Sequence, residues 1–318
     1  MRTSIFNSAI PRHIQANFRA IDKPKVDLVE ESLRDNYFAR FPAEYLSTDW
    51  GKKDLKDHLF RRLDTDRKTI IPWLDKTRPL RGASILEVGC GTGSSTVALA
   101  EQGAEVTAID IDEGSLVVAG ERCRAYGLDV SFAHANATEV NELFAGRHFD
   151  FIIFYAALEH MTVAERLSAM RATWKMLADG DLWCVIETPN RLWYHDEHTS
   201  FLPFHMWLPD ELAFEYSRFS PRDNYRELYR KYDDESKLHF LRRGRGVSFH
   251  EFELTMKPAA ELKIRSSLNV TNLQRRLRRL MKWRFSNEHR YSSLLRKIAP
   301  ELHKGFLQSF LYLIIEKD

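Results

Sequence analysis

A glycine-rich loop constrains the fold of this chain more than any other feature of its sequence. The segment ILEVGCGTGSST places Gly89, Gly91 and Gly93 after a short apolar run and before a segment of helical composition. Glycines between a buried strand and a helix allow the backbone to turn tightly and to approach a ligand closely. The segment therefore predicts the strand, ligand-binding turn and helix with which an α/β nucleotide-binding fold begins.

The side chains around this loop indicate which ligand it holds. A dinucleotide-binding loop has the pattern G-x-G-x-x-G, which requires glycine at the position where this chain has Ser94. Glu87 lies two positions before the first glycine, and its negative charge disfavours a pyrophosphate but suits a cation such as S-adenosylmethionine. The next strand ends at Asp110, whose carboxylate can accept hydrogen bonds from both hydroxyls of a ribose. These residues favour S-adenosylmethionine over NAD.

Apolar runs alternate with segments of helical periodicity from Ala83 to Thr188. Ser94 or Ser95 is expected to cap the first of the helices. Strand-helix alternation of this kind predicts a parallel sheet with helices on both faces. The predicted strands are SILEVG, EVTAID, LDVSFAHA, FDFIIFY and DLWCVIE, and the predicted helices are SSTVALAEQG, EGSLVVAGERCRAYG and residues 163–178.

The segments on either side of this alternation complete the expected fold. Leu55, Leu59 and Leu63 recur about once per helical turn, which predicts a helical N-terminal extension. The final segment FLQSFLYLIIEKD predicts a strand that returns to the same sheet in the antiparallel direction. The expected fold is therefore α/β and doubly wound, with a mostly parallel sheet and a large insertion after the fifth strand. The expected regions are an extension at 1–80, a cofactor-binding core at 81–188, a substrate-binding elaboration at 189–304 and the last strand at 305–318.

Composition excludes several classes of protein. Lys plus Arg is 47 and Asp plus Glu is 45, a net charge of +2, which makes nucleic acid an unexpected partner. Cys90, Cys123 and Cys184 are odd in number and lack C-x-x-C spacing, which argues against a disulfide framework or a zinc site and favours a reducing compartment. The N-terminus has no apolar signal region, and no stretch approaches the roughly 20 apolar residues that span a bilayer. We expect a cytoplasmic protein.

Three segments together resemble a known family. ILEVGCGTG, VTAIDID and FDFIIFYAALEHM, in this order and spacing, resemble the class I (Rossmann-like) S-adenosylmethionine-dependent methyltransferases. Within that class, ALEHM resembles the ubiquinone-biosynthesis O-methyltransferase branch, and PNRLWYHDEHTSFLPFHMWLP resembles methyltransferases that act on sugars, lipids or secondary metabolites. The resemblance covers residues 83 to 188. It implies S-adenosylmethionine as cofactor and S-adenosylhomocysteine as product; the alternative is a Rossmann-like fold that binds a different nucleotide.

The resemblance also implies a role for individual cofactor-site residues. Glu87 and the glycine loop, residues 89–93, would hold the methionine end. Asp110 would bind the ribose, and Ile111 would pack on the adenine. Asn136 stands where the family usually has an aspartate that faces the adenine amino group. The residues expected to contact the cofactor, the last two of them beside the sulfonium, are Glu87, Gly89, Cys90, Gly91, Gly93, Asp110, Ile111, Asn136, Ala137, Tyr155 and Ala156.

Four histidines are candidates for the catalytic base. Methyl transfer to a hydroxyl needs an aligned nucleophile, exclusion of water and a proton acceptor, and histidine is the usual acceptor near neutral pH. Each candidate has a structural alternative, either a turn or a hydrogen-bonded network that fixes a loop. Val247 and Phe249 around the last candidate alternate as in a strand, but Glu251 breaks the apolar face, which leaves the structure of this segment open. The candidates are His160 after the fourth strand, His198 and His205 in the cluster that begins HDEH, and His250 in GVSFHEFEL.

The ubiquinone-type enzymes imply a metal motif that this chain matches only in part. Those enzymes use two glutamates and a histidine as ligands. Here Glu159 and His160 match two of the three positions, and Ala156 replaces the first glutamate. We therefore expect no metal site.

The acceptor is expected to be a small molecule. The main hypothesis is O-methylation of a hydroxyl on a sugar, a lipid-linked glycan or a secondary metabolite. The alternatives are C-methylation of a substrate such as a prenyl chain, methylation of RNA or protein, and a non-catalytic scaffold that binds the cofactor. The basic stretch at 275–297 is either a solvated helix face or a contact for an anionic substrate or a peripheral membrane surface. The oligomeric state stays open.

Overall fold

A computed structural model describes residues 10–227, 233–268 and 287–318 of the chain. The strands in these residues form one sheet with the order β3-β2-β1-β4-β5-β7-β6 when they are numbered along the chain. The last strand runs antiparallel to both of its neighbours, which confirms the predicted doubly wound α/β fold with an antiparallel C-terminal strand. The strands are β1 (Ser84–Val88), β2 (Glu105–Asp110), β3 (Ser131–His134), β4 (Phe151–Tyr155), β5 (Leu182–Pro189), β6 (Lys263–Ser267) and β7 (Phe310–Glu316).

The chain divides into two compact units, Met1–Ile153 and Phe154–Asp318, and the division falls inside β4. In the first unit, β1 and β2 pair in parallel, and so do β2 and β3. The central strands are almost continuously apolar because helices cover both faces of such a sheet. The helices of this unit are α1 (Arg12–Gln15), α2 (Lys23–Ser32), α3 (Asp49–Lys56), α4 (Arg62–Thr65), α5 (Ile71–Thr77), α6 (Ser94–Ala100), α7 (Glu113–Ala125) and α8 (Val140–Leu143).

The N-terminal extension is helical, as predicted. Leu55, Leu59 and Leu63 are all buried. Two single π-helical turns, Asp57–Arg61 and Asp66–Ile70, join α3, α4 and α5 into one helical run.

The extension packs on α7 of the same unit. Leu55 and Leu59 share a core cluster with Val118 of α7. At Gly114 of α7 the approach is so close that an added Cβ would lie 2.4 Å from the carbonyl oxygen of Asn36. The extension is therefore an integral layer of the first unit.

Helix α6 begins differently from the prediction. Gly93 occupies the N-cap position with φ 78°, no side chain caps the helix, and Ser94 is its first residue. The expectation that Ser94 or Ser95 is the cap is wrong, because the left-handed turn at the loop's last glycine already starts the helix. Ser95 instead donates a hydrogen bond to Glu87.

The second unit contains the insertion between β5 and β7. Strand β6 was not predicted, because its sequence KIRSS is mostly polar and its burial is incomplete. The helices of this unit, in chain order, are α9 (Val163–Met176), α10 (Asp210–Tyr216), α11 (Asp223–Arg226), α12 (Asp234–Arg242), α13 (Phe249–Thr255) and α14 (Asn287–Ile298).

The segment GVSFHEFEL also differs from its strand-like pattern. It forms the start of α13, in which Ser248 and Glu251 make a capping box. The backbone N–H of Ser248 donates to the Glu251 carboxylate at 3.4 Å. A serine followed three residues later by glutamate is a helix-start signal, and here it overrides the apparent alternation.

The structure describes about half of the basic stretch at 275–297. Residues 275–286 lie outside the described residues, whereas residues 287–297 lie in α14. The Tyr291 hydroxyl on this helix donates to the Leu192 carbonyl at 2.7 Å, which ties the helix to the chain that follows β5. Among the described helices, none has the length and apolar character needed to cross a bilayer.

Candidate active site

The glycine loop has the backbone geometry that its sequence predicts. Gly89, Gly91 and Gly93 have φ values of 80°, 50° and 78°, in the region that side chains with a Cβ rarely adopt. A Cβ added at Gly93 would lie 2.8 Å from the Ala119 Cα, whereas one added at Gly91 would have no heavy atom within 4 Å. Gly93 is thus required for packing, and Gly91 borders open space that a ligand can enter.

Asp110 at the end of β2 is joined directly to this loop. Its Oδ2 accepts a hydrogen bond from the Gly91 N–H at 2.8 Å, and its Oδ1 accepts from the Asp112 N–H at 2.9 Å. Burial raises the pKa of Asp110, and the two backbone donors oppose that rise. Each carboxylate oxygen can accept a second hydrogen bond, so Asp110 retains capacity for a hydroxylated ligand.

Glu87 is completely buried beneath the start of α6. Its two carboxylate oxygens accept hydrogen bonds from the hydroxyls of Ser95 and Thr96, the latter at 2.6 Å. Burial raises its pKa, and the two hydroxyls act in the opposite direction. The contacts that the structure gives Glu87 therefore brace the loop and the first turn of α6.

Thr92 in the same loop is fixed by two residues that the sequence did not single out. His58 of the N-terminal extension has its Nδ1 at 3.0 Å from the Thr92 hydroxyl, and Arg122 of α7 donates through Nε to the Thr92 carbonyl at 2.7 Å. Burial and nearby arginines lower the pKa of His58 to about 2. The only sequence signal was that His58 lies on the same helical face as the buried leucines of the extension.

The residues expected around the adenine lie at the ends of β2 and β3. The side chain of Ile111 is 58% exposed, as a surface for ring stacking requires. Asn136 caps the short 3-10 turn Ala137–Glu139, and its Oδ1 accepts from both the N–H and the hydroxyl of Thr138 at 3.0 Å. The Asn136 oxygen that was expected to face the adenine amino group is therefore already engaged in a local cap. Ala137 is buried.

In the second unit, the ends of β4 and β5 carry unusual backbone. Ala156 follows β4 with φ 45°, next to Tyr155, and its N–H donates to the Ile186 carbonyl at 2.9 Å. Glu187 has φ 60° at an irregularity in the β5–β7 pairing. Non-glycine residues in this region cost about 1–3 kcal/mol each and cluster at functional sites.

His160 and His198 come close together in this unit. Their ring centroids are 5.9 Å apart, although they lie in the 3-10 turn after β4 and in the insertion after β5. His160 is exposed and its Nδ1 is 2.8 Å from the Arg242 carbonyl oxygen. His198 is partly buried and its Nδ1 is 2.8 Å from the Thr199 hydroxyl. Burial, with a contribution from His160, lowers the pKa of His198 to about 4.

Glu159 lies beside these two histidines. It is fully buried, and its Oε2 accepts a hydrogen bond from the Thr188 hydroxyl at 3.1 Å. Within the described part of the chain, its Oε1 has no hydrogen-bond partner. One ligand atom each from Glu159, His160 and His198 lies within 4.8 Å of the others. This unsatisfied carboxylate oxygen and the two imidazoles fit a divalent cation, even though Ala156 replaces the first glutamate of the ubiquinone-type motif.

His205 lies in a buried network and has little access to a ligand. Its Nε2 is 3.2 Å from the Tyr225 hydroxyl, and its Nδ1 is 3.5 Å from the Asp196 carboxylate. Asp196 also accepts hydrogen bonds from the N–H groups of His198, Thr199 and Ser200. Burial lowers the pKa of His205 to about 4. This arrangement matches the alternative of a network that fixes the loop.

His250 is exposed on α13. Its ring stacks on Phe249 with a centroid distance of 3.9 Å, and its Nδ1 lies 3.2 Å from the Ser248 hydroxyl. These contacts of His250 are local to the first turn of its own helix.

Comparison with known families agrees with this geometry. Residues 85–180 match a family model described as a methyltransferase domain. The matched segment contains the glycine loop, Asp110 and the Glu159–His160 turn. Residues 85–180 thus have the sequence of a methyltransferase domain, and they supply strands β1 to β4 of the sheet.

Curated relatives share part of the chain. It is 37% identical over 118 residues to a ubiquinone biosynthesis O-methyltransferase of Ruegeria pomeroyi, a match that covers 37% of this chain and 46% of the relative. It is 32% identical over 142 residues to the protein of the same name from Pseudomonas entomophila, covering 45% and 58%. The chain thus spans about half the length of these relatives.

Solved structures include similar chains. The magnesium protoporphyrin IX methyltransferase of Synechocystis PCC 6803 with bound S-adenosylmethionine has a TM-score of 0.38 and 22% identity, covering 56% of this chain and 82% of that one. An amino pentose methyltransferase from Micromonospora echinaspora has a TM-score of 0.37 and 21% identity, covering 46% and 57%.

Proposed function

We propose that this chain transfers a methyl group from S-adenosylmethionine to a hydroxyl of a small-molecule acceptor. The observation that carries the proposal is the hydrogen bond between Asp110 and the Gly91 N–H beside the open space at Gly91. This geometry lies in a segment that matches the methyltransferase-domain model.

The cofactor would lie along the ends of β1, β2 and β3. The backbone of the glycine loop would hold the methionine end, while Glu87 acts mainly as a brace. Asp110 would accept hydrogen bonds from the ribose hydroxyls, and the exposed Ile111 would cover the adenine. Tyr155, the last residue of β4, and Ala156 after it are the residues that the resemblance places beside the sulfonium.

The reaction itself needs few protein groups. The acceptor oxygen forms a bond to the methyl carbon while the carbon–sulfur bond breaks, and that bond's electron pair stays on the sulfur of S-adenosylhomocysteine. The acceptor's hydroxyl proton moves to a base. The protein aligns the two reactants and excludes water, which together account for much of the rate in such transfers.

His160 is our candidate for the base. A backbone carbonyl cannot donate a hydrogen bond, so the contact with Arg242 places the proton of a neutral His160 on Nδ1. Its Nε2 then has a free lone pair on an exposed ring. His205 is buried between Tyr225 and Asp196, and the contacts that His250 makes with described residues are local, so we assign both of them structural roles.

Aromatic side chains support an acceptor with a ring. Tyr291 of α14 lies 5.3 Å from Trp193, 5.1 Å from Tyr194 and 6.3 Å from Trp207, measured between ring centroids. Trp207 is 45% exposed. Such a surface can bury the apolar face of a flat or ring-shaped molecule, in keeping with a sugar, glycan or secondary-metabolite hydroxyl as the methylated group.

Two measurements test the proposed function. Calorimetry should show stoichiometric binding of S-adenosylmethionine and S-adenosylhomocysteine, and incubation with methyl-labelled cofactor should label a compound in pools of small hydroxylated acceptors. Absence of cofactor binding would exclude methyltransferase activity. Label that enters only RNA or protein, or only carbon positions of a prenyl chain, would overturn O-methylation of a small molecule.

A further inference from the structure

We propose that Glu159, His160 and His198 bind one divalent transition-metal ion, with His198 of the insertion as the third ligand. One oxygen or nitrogen atom from each of the three side chains lies within 4.8 Å of the other two. Donor atoms held tetrahedrally at about 2.0–2.2 Å from one ion are about 3.3–3.6 Å apart, so side-chain rotations that bring the three donors closer together would complete the site.

The carboxylate of Glu159 is the first observation that points to a ligand at this cluster. The side chain is fully buried and its Oε1 has no hydrogen-bond partner among the described residues. A buried carboxylate oxygen without a partner costs free energy. A cation that contacts Oε1, with Oε2 still bonded to the Thr188 hydroxyl, would remove that cost.

Each of the two imidazoles has one nitrogen whose lone pair is available to bind a metal. The Nδ1 of His160 faces the Arg242 carbonyl oxygen at 2.8 Å, which fixes the proton on Nδ1 and leaves the lone pair on Nε2. Metal-binding histidines typically donate their other ring N–H to a carbonyl or carboxylate in this way.

The ring proton of His198 is also fixed on Nδ1, here through two successive hydrogen bonds. The Thr199 hydroxyl lies 3.0 Å from the Gly244 carbonyl, to which it can only donate. The hydroxyl oxygen must then accept from His198 Nδ1 at 2.8 Å. The His198 proton is thus on Nδ1 as well, and its Nε2 is available as a ligand.

A single turn, residues 242–245, supports all three side chains. Its carbonyl oxygens at Arg242 and Gly244 fix the two histidines, and the Arg245 N–H donates to the Glu159 carbonyl at 2.8 Å. Gly244 has φ 125°, and an added Cβ would lie 2.7 Å from the Thr199 Oγ1 and 3.0 Å from the His198 Nδ1. The turn therefore packs directly against Thr199 and His198, and a side chain at position 244 would collide with both.

Two imidazoles and one carboxylate are a ligand set for Zn²⁺, Fe²⁺ or Mn²⁺. Three protein ligands leave coordination positions for another molecule. If the proposed function holds, the ion would replace His160 as the group that activates the acceptor, because a metal-bound Nε2 has no lone pair for a proton. The ion would lower the pKa of an acceptor hydroxyl that binds to it, so that its proton passes to water. Metal binding by the three side chains does not itself depend on that reaction.

Metal titration of the full-length protein tests the site. After treatment with EDTA and its removal, we expect one equivalent of Zn²⁺ by calorimetry, and a Co²⁺ visible spectrum of a low-coordinate site. His198→Ala and His160→Ala should each weaken Zn²⁺ binding at least tenfold. His13→Ala, which removes an exposed histidine of the first unit, is the matched control and should bind Zn²⁺ as the wild type does.

The outcomes separate this proposal from the proposed function. Wild-type protein that binds no stoichiometric Zn²⁺, or His160→Ala and His198→Ala variants that bind it unchanged, would overturn the metal site. The exposed ring of His160 makes a folding defect in His160→Ala unexpected, so that variant decides the question if His198→Ala does not fold. Cofactor calorimetry on the same variants should be unchanged, and its failure in the wild type would overturn only the proposed reaction.

Discussion

His58 in the N-terminal extension lies 3.0 Å, through its Nδ1, from the hydroxyl of Thr92 in the glycine loop. The two residues come from a helix and a loop that are separated by the whole first strand. Because Arg122 holds the Thr92 carbonyl from α7, the loop is clamped from two sides. The extension thus contributes to the shape of the proposed cofactor site.

Removing one partner of this contact should destabilise the first unit. In Thr92→Val the shape is kept, but a buried His58 nitrogen loses its partner, which costs about 1–3 kcal/mol. Urea unfolding should show a lower midpoint with an unchanged slope. In a double-mutant cycle with His58→Phe, the second substitution should cost less than it does alone; strictly additive effects would mean that the two side chains do not interact.

The same histidine should make stability depend on pH. The pKa of His58 is lowered to about 2 in the folded protein, against about 6.5 when unfolded. Below pH 6.5 only the unfolded state takes up this proton, so stability falls as the pH drops, by up to about 1.4 kcal/mol per pH unit. His58→Gln should reduce that slope in urea unfolding between pH 6.5 and 4.5. The exposed His13→Gln is the control, and an equal slope in both variants would contradict the assignment.

Asp110→Ala should weaken binding of S-adenosylmethionine. It removes the acceptors for the ribose hydroxyls and the support of the Gly91 N–H, a loss on the order of 2–3 kcal/mol, or roughly 30- to 150-fold in affinity. Calorimetry measures this directly. Asp129→Ala, at an exposed position in the same unit, should bind as the wild type does. Unchanged affinity in Asp110→Ala would show that the cofactor does not contact the end of β2.

Two glycines of the loop should respond differently to alanine. Gly93→Ala places a methyl group 2.8 Å from the Ala119 Cα, so thermal unfolding should shift strongly downward. Gly91→Ala meets open space and incurs only the cost of its positive φ, about 1–2 kcal/mol, but it narrows the proposed ligand path. Its main effect should be on cofactor affinity. Equal stability losses with equal cofactor affinity would contradict the different roles assigned to them.

His160→Ala should lower turnover while cofactor affinity stays the same. Loss of a general base typically reduces the rate 10²- to 10⁴-fold, and the His160 ring is held by the Arg242 carbonyl of its own unit. Steady-state kinetics with an identified acceptor, together with calorimetry, separates the two effects. His205→Ala should instead reduce stability, because it opens the buried network with Tyr225 and Asp196. A wild-type rate in His160→Ala would place the base elsewhere.

The local features of the fold could be predicted because they are properties of short segments. Strands β1, β2, β4, β5 and β7 are short apolar runs, and their periodicity differs from that of the helices between them. Strand β6 was missed because it is polar and half-exposed, so its pairing with β7 leaves almost no local pattern. The two alternating apolar residues Val247 and Phe249 did not decide the structure of their segment, whereas the capping pair Ser248 and Glu251 starts α13 there.

The sequence by itself determined the doubly wound sheet, the glycine loop with Asp110 beside it, and the absence of a dinucleotide fingerprint, because spacing along one strand and one turn fixes these features. The tertiary structure alone decided which side chains meet. It placed His58 on Thr92, and His198 beside Glu159 and His160, through contacts between residues far apart in the chain. Such contacts depend on how helices and loops pack, and no periodicity or motif in a single sequence encodes that packing.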